Sequence, residues 1–193
     1  MYCLACTGGI GSGKSYVVKI FAALGFPTYI ADEKTKLLYN KNVVLVENLV
    51  KLLGNEIVQD GVLQRRVMAQ KIFSDELLLA KVNEIVHPEV LADFKNWSLE
   101  RENEGNKLVI IESAIYLESK IFGGTADKVI VVEAPEHIRI ERVKKRDSAT
   151  EEMVRTRIHR QMTDVQMREY ADYIIFADGK RAIMPQIIEV LNK

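Results

Sequence analysis

Gly8-Gly9-Ile10-Gly11-Ser12-Gly13-Lys14-Ser15 follows directly on the apolar run of residues 2–7 and carries the spacing glycine, any four residues, glycine, lysine, serine. Glycines at these places let the backbone turn its amides inward around phosphate oxygens. Lys14 supplies a mobile cation for the β- and γ-phosphates, and the Ser15 hydroxyl is a ligand for Mg²⁺. The flanks provide the context such a loop requires. Residues 2–7 read as a buried strand, and Val17, Val18, Phe21 and Leu24 recur at helical spacing beyond Lys14, so the loop joins a strand to a helix N-terminus. Gly9, Gly11, Ser12, Gly13, Lys14, Ser15 and Tyr16 are therefore the candidate phosphate contacts, Tyr16 through its backbone amide.

The 193 residues suit one α/β domain with room for insertions. With 27 basic and 27 acidic residues the formal net charge is zero. No global field then draws the chain to nucleic acid or to an anionic membrane, and phosphate affinity has to be local. No charged leader precedes a long apolar segment and no stretch reaches bilayer length, so a cytoplasmic protein is expected. Cys3 and Cys6 form a C-x-x-C, but three residues apart on a strand they face opposite ways and lack a second ligand pair, which favours buried, reduced thiols over a redox or zinc site.

A second extended run, residues 26–31, ends in Asp32. In a doubly wound parallel sheet the carboxyl ends of the strands share one ligand-binding edge, so Asp32 is placed to touch an acceptor. It also precedes a helical pattern, and a helix N-cap is the other reading. Residues 42–53 read as a helix closed by Gly54, Asp60-Gly61 as a turn, and residues 65–73 and 75–86 as further helices; after His87-Pro88 one more helix carries Trp97 and frays over residues 101–106. Nothing between Asp32 and Asn106 reads as a strand. Arg65, Arg66 and Lys71 offer cations to an anionic acceptor or an ordinary solvated face, and His87 is either a contact or a satisfied residue at a helix break. Residues 108–111 form a buried strand ending in Glu112, which either reaches Mg²⁺ or is a plain strand terminus. A helix over residues 114–122 carries Glu118.

Residues 129–132 make a fourth strand, and Pro135 opens a helix in which Arg142 and Arg146 share a face. A second basic helix, residues 150–162, displays Arg157, Arg160 and Gln161. Two basic helices in succession after the fourth strand read as a closing lid. Residues 173–176 form the fifth strand, and Ile183, Ile187, Ile188 and Leu191 line a final helix. The elements predict an α/β fold, a five-stranded parallel sheet with helices on both faces. Its core spans residues 1–31, 107–140 and 170–193, with a helical acceptor-binding insertion at about 32–106 and a helical lid at about 141–169.

This combination resembles the dephospho-coenzyme A kinases, within the nucleoside-monophosphate-kinase branch of phosphate-loop folds. The resemblance covers nearly the whole chain. It is carried by Thr7 to Ser15, Ala31-Asp32, Asp60-Gly61-Val62-Leu63-Gln64-Arg65-Arg66, His87-Pro88, Glu118, Arg142 with Arg146-Asp147, Gln161, and Ala171-Asp172-Tyr173-Ile174. The chain departs from the family pattern at Ile30, at Tyr16, over residues 114–118 and around Ala177. The resemblance implies that ATP and dephospho-coenzyme A are the substrates and Mg²⁺ the metal. It makes Asp32 the base for the ribose 3′-hydroxyl, Lys14 and Arg142 the catalytic cations, and Arg146 a further ATP contact. Arg66, His87 and Glu118 become acceptor contacts, and Ser15 with Glu112 the metal ligands. The loop, the basic helices and Asp32 taken alone also fit a kinase for another small acceptor; an ATP-dependent switch that transfers nothing is a further alternative, against which the acid at the acceptor edge and the basic helices argue. No exposed apolar stripe predicts an oligomeric state.

Overall fold

The central strand β1 (Tyr2–Thr7) is buried along all but its first residue, as a continuous apolar run must be when strands lie on both sides of it. The structure, a computed structural model, describes residues 1–73, 75–119 and 121–192. It divides into two compact units, residues 1–30 with 100–193 and residues 31–99.

In the first unit, β1 leads through the glycine-rich loop into α1 (Lys14–Ala23) and then β2 (Thr28–Ile30). After the chain returns, β3 (Leu108–Glu112) and β4 (Lys128–Glu133) precede α2 (Glu136–Asp147), α3 (Glu151–His159) and α4 (Asp164–Arg168). The unit closes with β5 (Tyr173–Phe176) and α5 (Ile183–Leu191). The five strands are all parallel in the order β2-β3-β1-β4-β5, so the loop leaves the middle of the sheet at its carboxyl edge. Leu4, Cys6, Val17, Phe21, Ile110, Ile130, Ile175 and Ile187 fill one core between the sheet and helices α1 and α5. A smaller core of Ile140, Val143 and Val154 joins α2 to α3, and Ile10 from the loop packs against it.

The second unit runs α6 (Ala31–Lys41), α7 (Val43–Leu53), a short 3-10 turn, the hairpin β6 (Val58–Gln59) and β7 (Val62–Leu63), α8 (Arg65–Ile72) and α9 (Glu76–Asn103), whose last turn lies in the first unit. Asn42 caps α7 by accepting from the Leu45 amide, 2.9 Å away.

Four expectations need correction. The region after Asp32 is not strand-free: Asp60 and Gly61 both take positive φ, the geometry of a tight hairpin turn, and pair two-residue strands on either side. His87-Pro88 does not divide two helices. Helix α9 continues through Pro88 because Val82, Val86, Val90 and Phe94 keep one buried stripe across it, while the proline removes a single backbone hydrogen bond. The described residues of 114–122 form turns rather than a helix. There the Glu118 and Ser119 amides both donate to the Ile115 carbonyl, at 3.1 and 2.9 Å, which makes a single turn. Finally, α3 stops at His159, and Thr163 with Gln166 forms a capping box that starts α4.

Candidate active site

The glycine-rich loop is shaped by what lies beneath it. Lys14 opens α1, where the helix dipole favours an anion, yet its side chain is buried and donates to the Gly9 carbonyl at 3.2 Å. The Ser12 hydroxyl is also buried and makes no hydrogen bond. Ser15 and Tyr16 are exposed on the first turn of the helix. A cleft of about 150 Å³ opens over Gly11, Gly13, Lys14, Ser15 and Tyr16, with Arg142, Val143 and Arg146 on its far wall.

Helix α2 supplies that wall. Arg142 and Arg146 reach the same cleft, as their four-residue spacing requires. The Arg142 guanidinium donates to the Gly11, Ser12 and Ala177 carbonyls at 3.3, 3.2 and 2.7 Å, pinning the loop to the end of β5. Arg146 pairs with Asp147 through two bonds of 2.7 and 3.0 Å, and Arg157 approaches the same carboxylate at 3.1 Å. The Arg146 bond, with both guanidinium charges, holds the Asp147 carboxyl below the usual carboxylate range.

Two residues beside this cleft escaped the sequence reading or were only named in it. Arg139 is almost fully buried and donates to the Ile10 carbonyl at 3.0 Å. The signal was its place four residues ahead of the buried Val143, on the apolar stripe of the helix. Gln161 accepts the Ile10 amide at 2.7 Å.

The other candidates fall as follows. Glu112 ends β3 and is buried, in register with Cys6 of β1 and Ile30 of β2. Burial pushes the Cys6 thiol up, the Glu112 charge adds to that and Lys14 opposes it, so both charges lie close to the carboxyl end of β1. Burial likewise pushes the Cys3 thiol up to about 12. Glu118 lies in a turn and accepts the Met162 amide at 3.1 Å. In the second unit, Asp32 is exposed in the first turn of α6, which begins one residue earlier at Ala31, so it is not the N-cap. Arg66 is exposed on α8, and His87 is half-buried on α9, where burial pushes its pKa down. Lys71 is an internal tie, donating to the Leu53 carbonyl at the end of α7 and pairing with Glu56. Among the described residues no cluster of three His, Cys, Asp or Glu side chains is placed to hold a metal, and no helix is long and apolar enough to cross a membrane.

A phosphate-binding loop at the carboxyl end of the central strand, carrying Lys14 and faced by Arg142 and Arg146, defines a phosphate-loop protein of the nucleotide-dependent kinase class. A dephospho-CoA kinase family model matches residues 2–182, and the chain belongs to that family. It is 38% identical over 193 residues to the dephospho-CoA kinase of Porphyromonas gingivalis, covering 100% of this chain and 94% of that one. It is 36% identical over 188 residues to that of Bacteroides fragilis, covering 97% and 90%. A crystal structure from Thermus thermophilus superposes with a TM-score of 0.81 at 28% identity, covering 99% of this chain and 96% of that one. Membership in a kinase family favours phosphoryl transfer over a non-catalytic switch.

Proposed function

We propose that the protein transfers the γ-phosphoryl group of ATP to the ribose 3′-hydroxyl of dephospho-coenzyme A, giving coenzyme A and ADP, the last step of coenzyme A synthesis in the cytoplasm. The observation that carries this reading is the cleft in which Arg142 and Arg146 face Lys14 and the rest of the first turn of α1, in a chain of this family. The bond between the β,γ-bridging oxygen and the γ-phosphorus breaks, a new ester bond forms to the 3′-oxygen, and the proton of that hydroxyl passes to Asp32. Asp32 follows the last residue of β2 by two positions, which supports its assignment as base.

Gly9 and Gly11 to Tyr16 form the phosphate cradle in this reading, and Lys14 neutralises the β- and γ-oxygens. Arg142 bears on the charge that spreads over the transferring group, and Arg146 adds to the field. Arg66, His87 and Glu118 are the acceptor contacts in this reading. The donor set fits Mg²⁺, since Ser15 offers an exposed hydroxyl and Glu112 a carboxylate, both hard oxygen ligands. When bound, the ion would neutralise charge between the β- and γ-phosphates. The test is ADP release measured with dephospho-coenzyme A set beside nucleoside monophosphates, shikimate and pantothenate. Release is expected with dephospho-coenzyme A alone. Faster release with any of the others would overturn the assignment.

A further inference from the structure

Ile10 ties the phosphate loop to the rest of the unit at three points. Its amide donates to Gln161 at 2.7 Å, its carbonyl accepts from Arg139 Nε at 3.0 Å, and its side chain packs against the core of Ile140, Val143 and Val154. All three contacts come from residues 139–161, far along the chain. Arg139 dominates the set. Its guanidinium also closes on Gly9, where a methyl group would lie 2.0 Å from Nη2, and its own carbonyl closes on Gly11, where a methyl would lie 2.5 Å from the oxygen. The two glycines that flank Ile10 are thus moulded to one arginine.

A guanidinium this deeply buried needs a counter-charge. Asp164, in the first turn of α4, supplies it at 3.0 Å from Nη1 and keeps about a third of its own surface in solvent. Arg139 does not line the cleft, whereas Lys14 does, and Lys14 donates to the carbonyl of Gly9, the residue against which Arg139 rests. A displacement of Arg139 therefore reaches the phosphate-binding groups through Gly9 and Ile10.

We infer that Arg139, held by Asp164, is a positioning residue for the donor phosphates: it sets the loop from Gly9 to Gly11, and through it Lys14, in the shape that receives ATP. The inference rests on the reading of the cleft as the ATP site and extends it to residues that touch no substrate. Binding groups need placement to within about half an ångström to act. Loss of one charge-assisted hydrogen bond is therefore expected to appear in nucleotide affinity, not only in stability.

The test uses the whole chain and three variants, Arg139→Met, Asp164→Asn and Asp164→Glu. ADP binding is measured by calorimetry without any acceptor, and KM is measured separately for ATP and for the acceptor. Arg139→Met is expected to weaken ADP roughly tenfold to a hundredfold, the range for a bond to a charged group. Asp164→Asn, which leaves every cleft residue in place, should raise KM for ATP several-fold while KM for the acceptor stays put, and Asp164→Glu should recover most of the loss. Unchanged ADP affinity in folded Asp164→Asn, or KM values that rise together for both substrates, would overturn the inference. If Arg139→Met does not fold, the two Asp164 variants decide. A wrong acceptor would show as inactivity of the unaltered chain with dephospho-coenzyme A, while ADP binding and its loss in the variants would be unaffected.

Discussion

The two units treat their candidate residues in opposite ways. Around the phosphate loop Lys14 is committed to Gly9, Arg142 to three carbonyls, Arg139 to the Ile10 carbonyl and Gln161 to the Ile10 amide. In the helical unit, Asp32 and Arg66 stand exposed, and the strongest polar ties, from Lys71 to Leu53 and Glu56 and from Asn42 to Glu89, hold helices together instead. A triphosphate carries concentrated charge that a fixed cradle can anticipate, and pre-organised donors are worth most when they need not reorganise. Changes at Asp32 and Arg66 should therefore cost rate without stability, and changes under the loop should cost both.

The largest effect is expected from Asp32→Asn, which should lower kcat by about 10²- to 10⁴-fold, the usual contribution of a positioned base. Because Asp32 is exposed, ADP affinity and Tm should remain those of the unaltered chain, and a fall in either would break the contrast. Next come the two thiols. With Cys3 pushed up to about 12 and Cys6 raised further by burial, alkylation at pH 8 should be suppressed roughly a thousandfold until denaturant is added, since the thiolate is the nucleophile. Rapid labelling of the native protein would show that the strand beneath the loop opens.

Arg142→Ala removes the donor to three carbonyls and should lower unfolding free energy by about 1.5–3 kcal/mol together with kcat and ADP affinity. Urea unfolding measures the first, and an unchanged midpoint would mean that the arginine serves the substrate alone. The smallest effect is expected at His87. Burial disfavours its charged form, so as pH falls below the ordinary value of 6.5 the unfolded chain takes up the proton first. Its contribution is full above that value and is lost as pH drops through the lower folded value. Between pH 7.5 and 5.5 the unaltered chain should lose stability relative to His87→Gln, and parallel profiles would remove His87 from the account.

What was legible from residues was local. The loop, its strand and its helix are contiguous, and glycine, lysine and serine at fixed spacing carry their own backbone chemistry, so β1, the loop and α1 could be read directly. The parallel sheet followed from short apolar runs too buried to alternate. Errors arose where two local signals competed. Pro88 announces a helix break, yet the apolar stripe from Val82 to Phe94 outweighs one lost hydrogen bond. Residues 114–118 carry an acceptable helical pattern, yet Glu118 and Ser119 close a single turn on the Ile115 carbonyl, and one turn fixes too few bonds to offset its nucleation. The hairpin at Asp60-Gly61 was visible only as its turn, because strands of two residues have no periodicity to detect.

By itself the sequence determined that a nucleotide phosphate site sits between a central strand and a helix, and that basic residues follow the fourth strand, because both are written in neighbouring residues. Only the tertiary structure decided which cations face the cleft and which lie beneath it. Arg139 and Arg142 are three residues apart and chemically identical, but one is buried under Ile10 and the other lines the cleft. The contacts that separate them, and the Gln161 bond to the same loop residue, span 129 to 151 positions of sequence. At such separations no periodicity or spacing survives, and only packing of the sheet and its helices brings the partners together.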